Sequence, residues 1–380
     1  MSDINKKAPP VYNSVEELIG GTPLVKLRGS MAKFPVGRDL AAEVPTLKAG
    51  TFHSVKSELF AKVEFVNPGG SIKDRISVTM INGAERKGLL KPGGTIVEAT
   101  SGNTGAGLAV VAASRGYKCI FVMPDKIAAE KINSLRAFGA KVIIVPSKVG
   151  PEHPDYYVNT AKRIHDETPN SYLTNQYFNP DNPQAHFEGT GPEIWDQMEG
   201  NVDAVFIGAG TGGTLSGIAR FLKQQNPNVK VVAIDPLGSI YASLIRTGKM
   251  GASAPYLVEG VGEDMLPGTM DVKMADDVVT VHDDEAFAAT RMLAQREGLL
   301  VGGSCGAAFF GATQWLLKHE SRGAKPLRAV VLLPDGGKGY LTKVFNEGWL
   351  KTNNVLTHWL DEPLGGEVEY LPAAKRVEGV

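Results

Sequence analysis

Strand-like and helix-like segments alternate regularly along this chain from about residue 61 to residue 333. Short apolar runs that end at turn residues are typical of buried strands, and apolar residues three or four apart predict helices. Such alternation indicates βαβ units and a parallel sheet, hence an α/β fold. The predicted strands are 61–66, 95–99, 119–123, 141–145, 204–207, 229–234 and 329–333, and the predicted helices are 72–86, 103–115, 127–138, 156–167, 184–198, 214–225, 284–297 and 307–319.

A chain of 380 residues is long enough for two or three lobes. The turn-rich residues 175–183 are interpreted as the hinge between two α/β lobes. We therefore predict an N-terminal arm (1–58), a first lobe (59–178), a second lobe (179–350) and a tail (351–380). Within the arm, residues 29–57 lack strong periodicity and are predicted to be an excursion that covers the surface.

Composition excludes several classes of protein. The 40 Lys and Arg residues nearly balance 41 Asp and Glu, which predicts no broad basic surface for nucleic acid. No apolar run reaches the roughly 18 residues of a membrane span, and the first residues lack a signal-peptide pattern. The two cysteines form no CxxC motif, and the seven histidines show no metal-ligand spacing. These features predict a cytoplasmic protein without a metal site.

Residues 67–75, NPGGSIKDR, contain a lysine in an unusual position. Two glycines allow a sharp turn, and Ser71 is a good N-cap for the predicted helix. Lys73 then lies in the first helical turn, where the positive end of the helix dipole disfavours an ammonium. That field and burial lower a lysine pKa, which frees the amine to act as a nucleophile or base. A single lysine is most often a solvated surface residue, so this interpretation depends on other motifs.

Three glycine-rich turns lead into predicted helices. Residues 100–104, TSGNT, offer hydroxyls, an amide and free backbone N–H groups that suit a carboxylate. Residues 208–214, GAGTGGT, suit a phosphate, because close backbone approach and the helix dipole both favour an anion; residues 210–214 are called the phosphate cup below. Residues 302–306, GGSCG, place Ser304 before a predicted helix. An ordinary helix cap remains an alternative for the first and third turns.

The second turn also satisfies the dinucleotide-binding pattern GxGxxG through Gly208, Gly210 and Gly213. Asp235 ends the next predicted strand at about the distance expected for an acid that binds ribose. An NAD-binding oxidoreductase is therefore an alternative. It leaves Lys73 and residues 100–104 without a role, whereas a single phosphate-bearing cofactor uses all three features.

A phosphate cup, a carboxylate site and a lysine at a helix start together indicate pyridoxal phosphate acting on an amino acid. The separated motifs are GGTPLVKL, NPGGSIKDR, EATSGNTG, NQYFNPDNPQAHFEGTGPEIW, GAGTGGT, EGVGEDM, EGLLVGGSCGAA and LPDGG. In this order they resemble the fold-type-II pyridoxal phosphate enzymes, which contain cysteine synthases and cystathionine β-synthases. The resemblance covers about residues 18–350. It implies two lobes, each with a mostly parallel twisted sheet flanked by helices, as in the β subunit of tryptophan synthase.

The resemblance also implies roles for individual residues. Lys73 would form the Schiff base with pyridoxal 5'-phosphate, Asn103 would bind the phenolic oxygen, and Ser304 would face the pyridine nitrogen. The phosphate would be held by Gly210, Thr211, Gly212, Gly213 and Thr214. The amino-acid substrate would be bound by Thr100, Ser101, Gly102, Thr104, Gln176 and Gly260.

Residues 260–264, GVGED, bear on the choice of reaction. In the resembled family, cysteine synthases tend to have small residues after the GxG, whereas cystathionine β-synthases tend to have an acidic or aromatic residue followed by Asp. Glu263 and Asp264 are therefore candidate catalytic residues, and they favour a lyase that joins L-serine to homocysteine to give cystathionine in transsulfuration. The hydroxide of serine is a poor leaving group, and a proton donor helps it to depart. A cysteine synthase using O-acetylserine and sulfide remains the alternative, as does a solvated acidic pair.

Three departures from the family pattern carry further expectations. Gly336 stands where the family usually has serine, so the surroundings of the ring nitrogen are expected to differ. Residues 29–57 exceed the usual link and are candidates for dimer contact or gating. The N-terminus has no Cys/His pair of the kind that binds haem, and about thirty residues follow Leu350, so we expect neither haem nor activation by S-adenosylmethionine. The family implies a homodimer, while the physiological thiol and leaving group stay undecided.

Overall fold

The computed structural model describes residues 11–28, 31, 33–125, 127–150 and 152–355. Of the predicted arm and tail, residues 1–10 and 356–380 lie outside this described part. Its strands are β1 (Leu24–Lys26), β2 (Phe34–Pro35), β3 (Phe52–His53), β4 (Glu58–Val63), β5 (Thr95–Ala99), β6 (Lys118–Pro124), β7 (Lys141–Val145), β8 (Ser171–Leu173), β9 (Ala204–Gly208), β10 (Lys230–Pro236), β11 (Asp277–Val281) and β12 (Arg328–Leu333).

These strands form two main sheets. The larger sheet has the order β1–β4–β12–β9–β10–β11, and within it only β1 runs antiparallel to its neighbour. The smaller sheet, β7–β6–β5–β8, is parallel throughout. All five residues of β5 are buried, as expected for parallel strands covered by helices. Two mostly parallel sheets confirm the predicted α/β fold.

Helices pack against both sheets. They are α1 (Arg38–Glu43), α2 (Lys73–Arg86), α3 (Asn103–Arg115), α4 (Ala129–Ala137), α5 (Tyr157–Glu167), α6 (Asp181–Ala185), α7 (Gly191–Gln197), α8 (Gly213–Gln225), α9 (Tyr241–Thr247), α10 (Asp283–Glu297), α11 (Gly303–Ser321) and α12 (Glu347–Thr352). Helix α11 contacts β9 to β12 in the larger sheet, whereas α3 and α5 contact β5 and β6 in the smaller one. The turns from β5 to α3 and from β9 to α8 therefore open at carboxyl ends of strands, where α/β sheets bind ligands.

Most predicted elements differ from the observed ones by one to four residues at an end, and two differ more substantially. The strand predicted at 61–66 ends at Val63, because buried Glu64 begins a 3₁₀ turn and its carboxylate accepts a hydrogen bond from Arg75 Nε at 2.7 Å. The helix predicted at 184–198 is divided into α6, a π-helical stretch (His186–Thr190) and α7. The short elements β8, β11 and α9 were not predicted.

The described residues of 29–57 contribute to the core as well as to the surface. Phe34 is fully buried, with its ring 5.1 Å from that of Phe309 in an edge-on contact, and Leu40 of α1 is 5% exposed. The segment packs against helices α10 and α11, and so it completes the hydrophobic core beside the larger sheet. Periodicity missed this contribution because β2, β3 and α1 have only two to six residues each.

The order of the strands in the sequence does not match their division between the two sheets. Strand β4, with β1, belongs to the larger sheet although it precedes the whole smaller sheet in sequence. The division of the chain at residues 58, 178 and 350 stays a prediction. In the described part, no helix is both long and apolar enough to cross a membrane, and no three His, Cys, Asp or Glu side chains are placed to share a metal ion.

Candidate active site

One cavity is lined by several segments that the sequence singled out. It lies between the start of α2, the ends of β9 and β12, the phosphate cup and the start of α11. Its lining includes Lys73, Gly210, Thr211, Gly212, Thr214, Gly260 and Ser304. Glycine-lined turns at the carboxyl ends of parallel strands are common ligand sites, so this cavity is the candidate active site.

Lys73 is the first residue of α2 and lies at the wall of this cavity. The N-cap of α2 is Ile72 rather than the predicted Ser71, although the Ser71 hydroxyl accepts a hydrogen bond from the Lys73 amide at 3.2 Å. Burial lowers the pKa of the Lys73 ammonium, while Glu263 and Asp335 act in the opposite direction. Among the described residues, Lys73 Nζ has no hydrogen-bond or ion-pair partner. This is the environment of a reactive amine.

The phosphate cup joins β9 to α8. Gly212 is the N-cap of α8 and has φ +83°, where an L side chain is strained. A Cβ at this position would also lie 2.3 Å from Met270 Cβ. The first backbone N–H groups of α8 have no intrahelical acceptor, so they are available to an anion. Thr211 and Thr214 add two hydroxyls at the cavity wall.

Ser304 lies within the first turn of α11. This helix begins at Gly303 with Gly302 as its N-cap, so the predicted start at residue 307 and the N-cap interpretation of Ser304 are both wrong. Ser304 is 4% exposed and lines the cavity. Its hydroxyl has no hydrogen-bond partner in the described part of the chain. A buried hydroxyl costs free energy unless it gains a partner, which a ligand in the cavity can supply.

Residues 100–104 form the turn between β5 and α3. Thr100 Oγ1 accepts hydrogen bonds from two backbone amides at 3.0 and 3.3 Å, so it acts as a cap. Thr104 Oγ1 donates to Gln176 Oε1 at 2.7 Å. Ser101 is exposed. None of these five residues lines the cavity, and two of the turn's hydroxyls already have protein partners.

Asp335, which follows β12, is a site residue that the sequence analysis missed. It is 2% exposed, and its Oδ2 atom accepts hydrogen bonds from Asn103 Nδ2 at 2.8 Å and from Tyr340 Oη at 2.5 Å. The Cys305 thiol donates to its backbone carbonyl at 3.3 Å. Asp335 therefore binds the amide of Asn103. The motif LPDGG contained a signal for it, because its acid lies two residues after the end of a predicted strand.

A cluster of opposite charges joins the turn at residues 100–104 to the segment before Gly260. The stem of Lys131 packs against Gly102, where a Cβ would lie 2.9 Å from Lys131 Cδ. Lys131 Nζ donates to Glu259 Oε2 at 2.5 Å, and Lys343 Nζ donates to the other carboxylate oxygen. Burial opposes ionisation of Glu259, but the two lysines lower its pKa overall. Opposite charges thus connect the two sides of the cleft.

Glu263 and Asp264 have different surroundings. Glu263 is half-buried, and burial, with a smaller effect of Asp264, raises its pKa to about 8 although Lys73 acts in the opposite direction. Glu263 therefore carries a proton at neutral pH. Asp264 is exposed. The structure brings Glu263 near Lys73 and leaves Asp264 at the surface.

Two tyrosines near Glu263 were also missed. Burial and, next, the Glu263 carboxylate raise the pKa values of Tyr177 and Tyr241. The Tyr241 hydroxyl donates to the carbonyl of Gly210 at 2.6 Å, which ties it to the phosphate cup. Tyr177 lies inside the motif NQYFNPDNP, next to Gln176, and this position was its signal in the sequence.

The structure contradicts the oxidoreductase alternative. Asp235 is fully buried, and its Oδ2 atom accepts a hydrogen bond from the Ala242 amide at 2.7 Å. Burial raises its pKa to about 6, against the effect of the Ser239 hydroxyl. It is absent from the lining of the described cavity. The acid assigned to ribose is therefore used inside the protein, at the start of α9.

Comparison with known proteins identifies the family. The family described as "Pyridoxal-phosphate dependent enzyme" matches residues 38–335. Cystathionine β-synthase of Apis mellifera is 46% identical over 93% of this chain, and the match covers 64% of that protein. Cysteine synthase of Staphylococcus aureus is 42% identical over 88% of this chain and 96% of that protein. The crystal structure of a hydrogen sulfide-producing enzyme from Fusobacterium nucleatum superposes with a TM-score of 0.74 at 35% identity, covering 87% of this chain and all of that chain.

These matches agree on one family, although the activities for which the relatives are named differ. The chain spans about 57% to 64% of the length of the animal cystathionine β-synthases that it matches. The family's cofactor agrees with the cavity, which presents an amine, a glycine-lined cup and a free hydroxyl. The chain belongs to the family of pyridoxal-phosphate-dependent enzymes that includes cystathionine β-synthases and cysteine synthases.

Proposed function

We propose that this chain joins L-serine to homocysteine, releasing water and forming cystathionine. The observation that carries the proposal is Glu263, a half-buried acid near Lys73 whose pKa of about 8 keeps it protonated at neutral pH. Such a group suits the departure of hydroxide, which needs a proton, better than that of acetate. The 46% identity to the cystathionine β-synthase of Apis mellifera supports the same choice.

The groups that line the cavity suit pyridoxal phosphate. We assign Lys73 as the point of attachment and residues 210–214 as the phosphate site. Ser304 is assigned to the pyridine nitrogen, because its buried hydroxyl has no partner in the described residues. Asn103 is assigned to the phenolic oxygen, although its amide now donates to Asp335. The bound cofactor would accept the electron pair left on the substrate's α-carbon when its proton is removed.

Lys73 and Glu263 would share the proton transfers. The Lys73 amine removes the proton from the α-carbon of serine and later returns it to the product. Glu263 donates its proton to the serine hydroxyl as the Cβ–O bond breaks, so the leaving group departs as water. The homocysteine sulfur then bonds to Cβ, and its proton returns to Glu263. The balance is one serine and one homocysteine giving one cystathionine and one water.

The substrate carboxylate would be bound by the turn at residues 100–104, with Gly260 on the opposite wall. Backbone N–H groups at the start of α3 favour an anion. The hydroxyl of Thr104 donates to Gln176, so this bond must be exchanged when a carboxylate arrives. Asp264 is proposed only to add negative charge that attracts the amino group of homocysteine, since it is exposed.

A second candidate function is cysteine synthesis from O-acetylserine and sulfide. It is favoured by the match to the cysteine synthase of Staphylococcus aureus, which covers 96% of that protein. The two candidates are separated by measuring kcat/KM side by side for serine with homocysteine and for O-acetylserine with sulfide. We expect the first pair to be preferred. A clear preference for O-acetylserine with sulfide would replace the proposal with the second candidate.

We also propose a homodimer that works in the cytoplasm. The family resemblance supports the dimer. The location is supported by Cys119 and Cys305, which are both buried and unpaired, as is usual where thiols stay reduced. Light scattering of the purified protein tests the dimer, and a mass near that of one 40.5 kDa chain would contradict it.

A further inference from the structure

The motif NQYFNPDNPQAHFEGTGPEIW contains buried polar residues that the proposed reaction does not use. Its central part forms α6 and the π-helical stretch His186–Thr190. Such stretches are rare and occur often at functional sites. This one packs against α8, and a Cβ at Gly217 would lie 2.7 Å from His186 Cβ. The glycine allows the π-helical segment to lie directly behind the phosphate cup.

His186 is the residue of this segment that reaches the cup. Its side chain is fully buried. The Nδ1 atom lies 2.9 Å from Thr190 Oγ1, and the Nε2 atom lies 3.2 Å from Thr214 Oγ1. Burial and, next, the charge of Lys73 lower the imidazole pKa well below its ordinary value. The ring is therefore neutral, with one N–H donor and one acceptor nitrogen.

A bound phosphate selects one tautomer of this ring. A phosphate dianion only accepts hydrogen bonds, so the Thr214 hydroxyl must point its proton toward the anion. The Thr214 oxygen is then free to accept from His186 Nε2–H. Nδ1 accepts in turn from the Thr190 hydroxyl. All three protons in this series of hydrogen bonds then point toward the anion. The opposite tautomer would direct the Thr214 proton away from the phosphate and leave lone pairs facing a negative charge.

Asn182 repeats the arrangement at the other threonine of the cup. It is 1% exposed, and its Nδ2 atom donates to Thr211 Oγ1 at 3.2 Å and to the carbonyl of Gln176 at 2.8 Å. The Thr211 oxygen thus has a donor behind it, and its proton is free for the anion. The Oδ1 atom of Asn182 is buried without a partner and approaches Gly213, where a Cβ would lie 2.0 Å away.

We propose that His186 and Asn182 are positioning residues that turn the hydroxyl protons of Thr214 and Thr211 toward a dianionic phosphate ester. This inference deepens the proposed function, because it rests on the binding of pyridoxal phosphate, but it does not depend on which amino acid or thiol reacts. The two residues act through the cup threonines and do not touch the cofactor.

The first test measures cofactor retention and the ³¹P signal of the bound phosphate in the holoenzyme. His186→Phe should weaken pyridoxal phosphate binding roughly 10- to 100-fold, the effect of one hydrogen bond to a charged group, and shift the ³¹P resonance. His186→Gln, which keeps a side-chain N–H, should stay within about 3-fold of the parent. Ile194→Val, a substitution at a fully buried position in α7, is the matched control and should change neither the cofactor affinity nor the ³¹P resonance.

A double-mutant cycle separates positioning from a structural effect. In a Thr214→Val background, His186→Phe should cost less than about 3-fold in cofactor affinity, because the hydroxyl that it orients is gone. The same result is expected for Asn182→Leu in a Thr211→Val background. The proposal would be overturned if His186→Phe lowered cofactor affinity by the same factor in the parent and in the Thr214→Val background. An unchanged affinity and an unchanged ³¹P shift in His186→Phe would overturn it as well. A parent protein that holds no pyridoxal phosphate would instead refute the proposed function.

The second test needs no destabilising variant. Holoenzyme labelled with ¹⁵N-histidine should show His186, identified by its loss in His186→Gln, as the neutral Nε2–H tautomer from pH 6 to pH 9. A neutral Nδ1–H tautomer, or a ring that becomes protonated within this range, would contradict the proposed direction of the hydrogen bonds.

Discussion

The two sides of the cleft satisfy their polar groups in different ways. On the cofactor side, Lys73 Nζ has no partner among the described residues, and the cup threonines are supported only from behind. The other side is formed by the turn at residues 100–104 and is called the substrate side here, although its Asn103 is assigned to the phenolic oxygen of the cofactor. On this side, Thr104 hydrogen-bonds Gln176 at 2.7 Å, and Asn103 donates to Asp335 at 2.8 Å. The groups on the cofactor side can therefore bind a ligand directly, whereas those on the substrate side must first give up hydrogen bonds to the protein.

This difference predicts where substitutions act. Changes on the cofactor side should remove the cofactor or the chemistry and leave the folded protein largely intact. Changes on the substrate side should also alter stability, because the same groups hold the apo structure together. The four substitutions below test this contrast, from the largest expected effect to the smallest.

Lys73→Ala should reduce cystathionine formation by roughly 10⁴-fold or more, because it removes both the point of attachment and the proton carrier. The thermal midpoint should hardly change, since the Lys73 amine has no protein partner in the described part. Lys87→Ala, at the exposed end of the same helix, is the control and should keep normal activity. A normal rate in Lys73→Ala would refute the assignment.

Gly212→Ala should lower cofactor affinity by roughly 100-fold, because it adds a clash with Met270 to a strained φ of +83° inside the cup. Gly248→Ala is the matched control, because its φ is +73° but a Cβ there meets open space. It should cost only about 1 kcal/mol of stability and no affinity. Titration of both proteins with pyridoxal phosphate measures the difference. Equal affinities would mean that the cup is not the phosphate site.

Glu263→Gln should lower kcat/KM for serine by roughly 10- to 100-fold, and less for O-acetylserine, whose acetate leaves without a proton. In the parent enzyme Glu263 is a donor below its pKa of about 8, so the rate with serine should fall as pH rises through about 8. The Gln variant should lose this decrease. Equal losses with both substrates would show that Glu263 does not protonate the leaving group.

Asn103→Ala should destabilise the apo protein by about 1–3 kcal/mol, because buried Asp335 loses one of the donors to its Oδ2 atom. Urea denaturation measures the change. Asn228→Ala, at an exposed position, is the control and should have almost no effect. If both variants are as stable as the parent, the substrate side does not carry the stabilising role assigned to it.

The sequence predicted several regular elements well, and it singled out Lys73 and the phosphate cup, which the structure places at one cavity. Strand β5, helix α3 and strand β7 occur at their predicted bounds. Helix α3 ends at Gly116, whose φ of +75° stops the helix, so the local sequence determines this boundary. Lys73 and the cup were found for the same reason, since glycines and a helix start are local signals.

What the sequence could not predict depends on contacts between distant segments. Phe34 becomes part of the core only by packing against Phe309. Asp335 becomes a site residue only when β12 brings it to Asn103, more than 230 positions away. The helix predicted at 184–198 is interrupted where His186 turns toward Thr214 of α8. No periodicity in one segment contains such information.

The account depends most directly on the covalent position of the cofactor. The purified holoenzyme is treated with borohydride to fix the bound pyridoxal group, digested, and mapped by mass spectrometry. We predict one modified peptide, with the label on Lys73. A label on another lysine, or an unlabelled protein with full activity, would contradict the central claim.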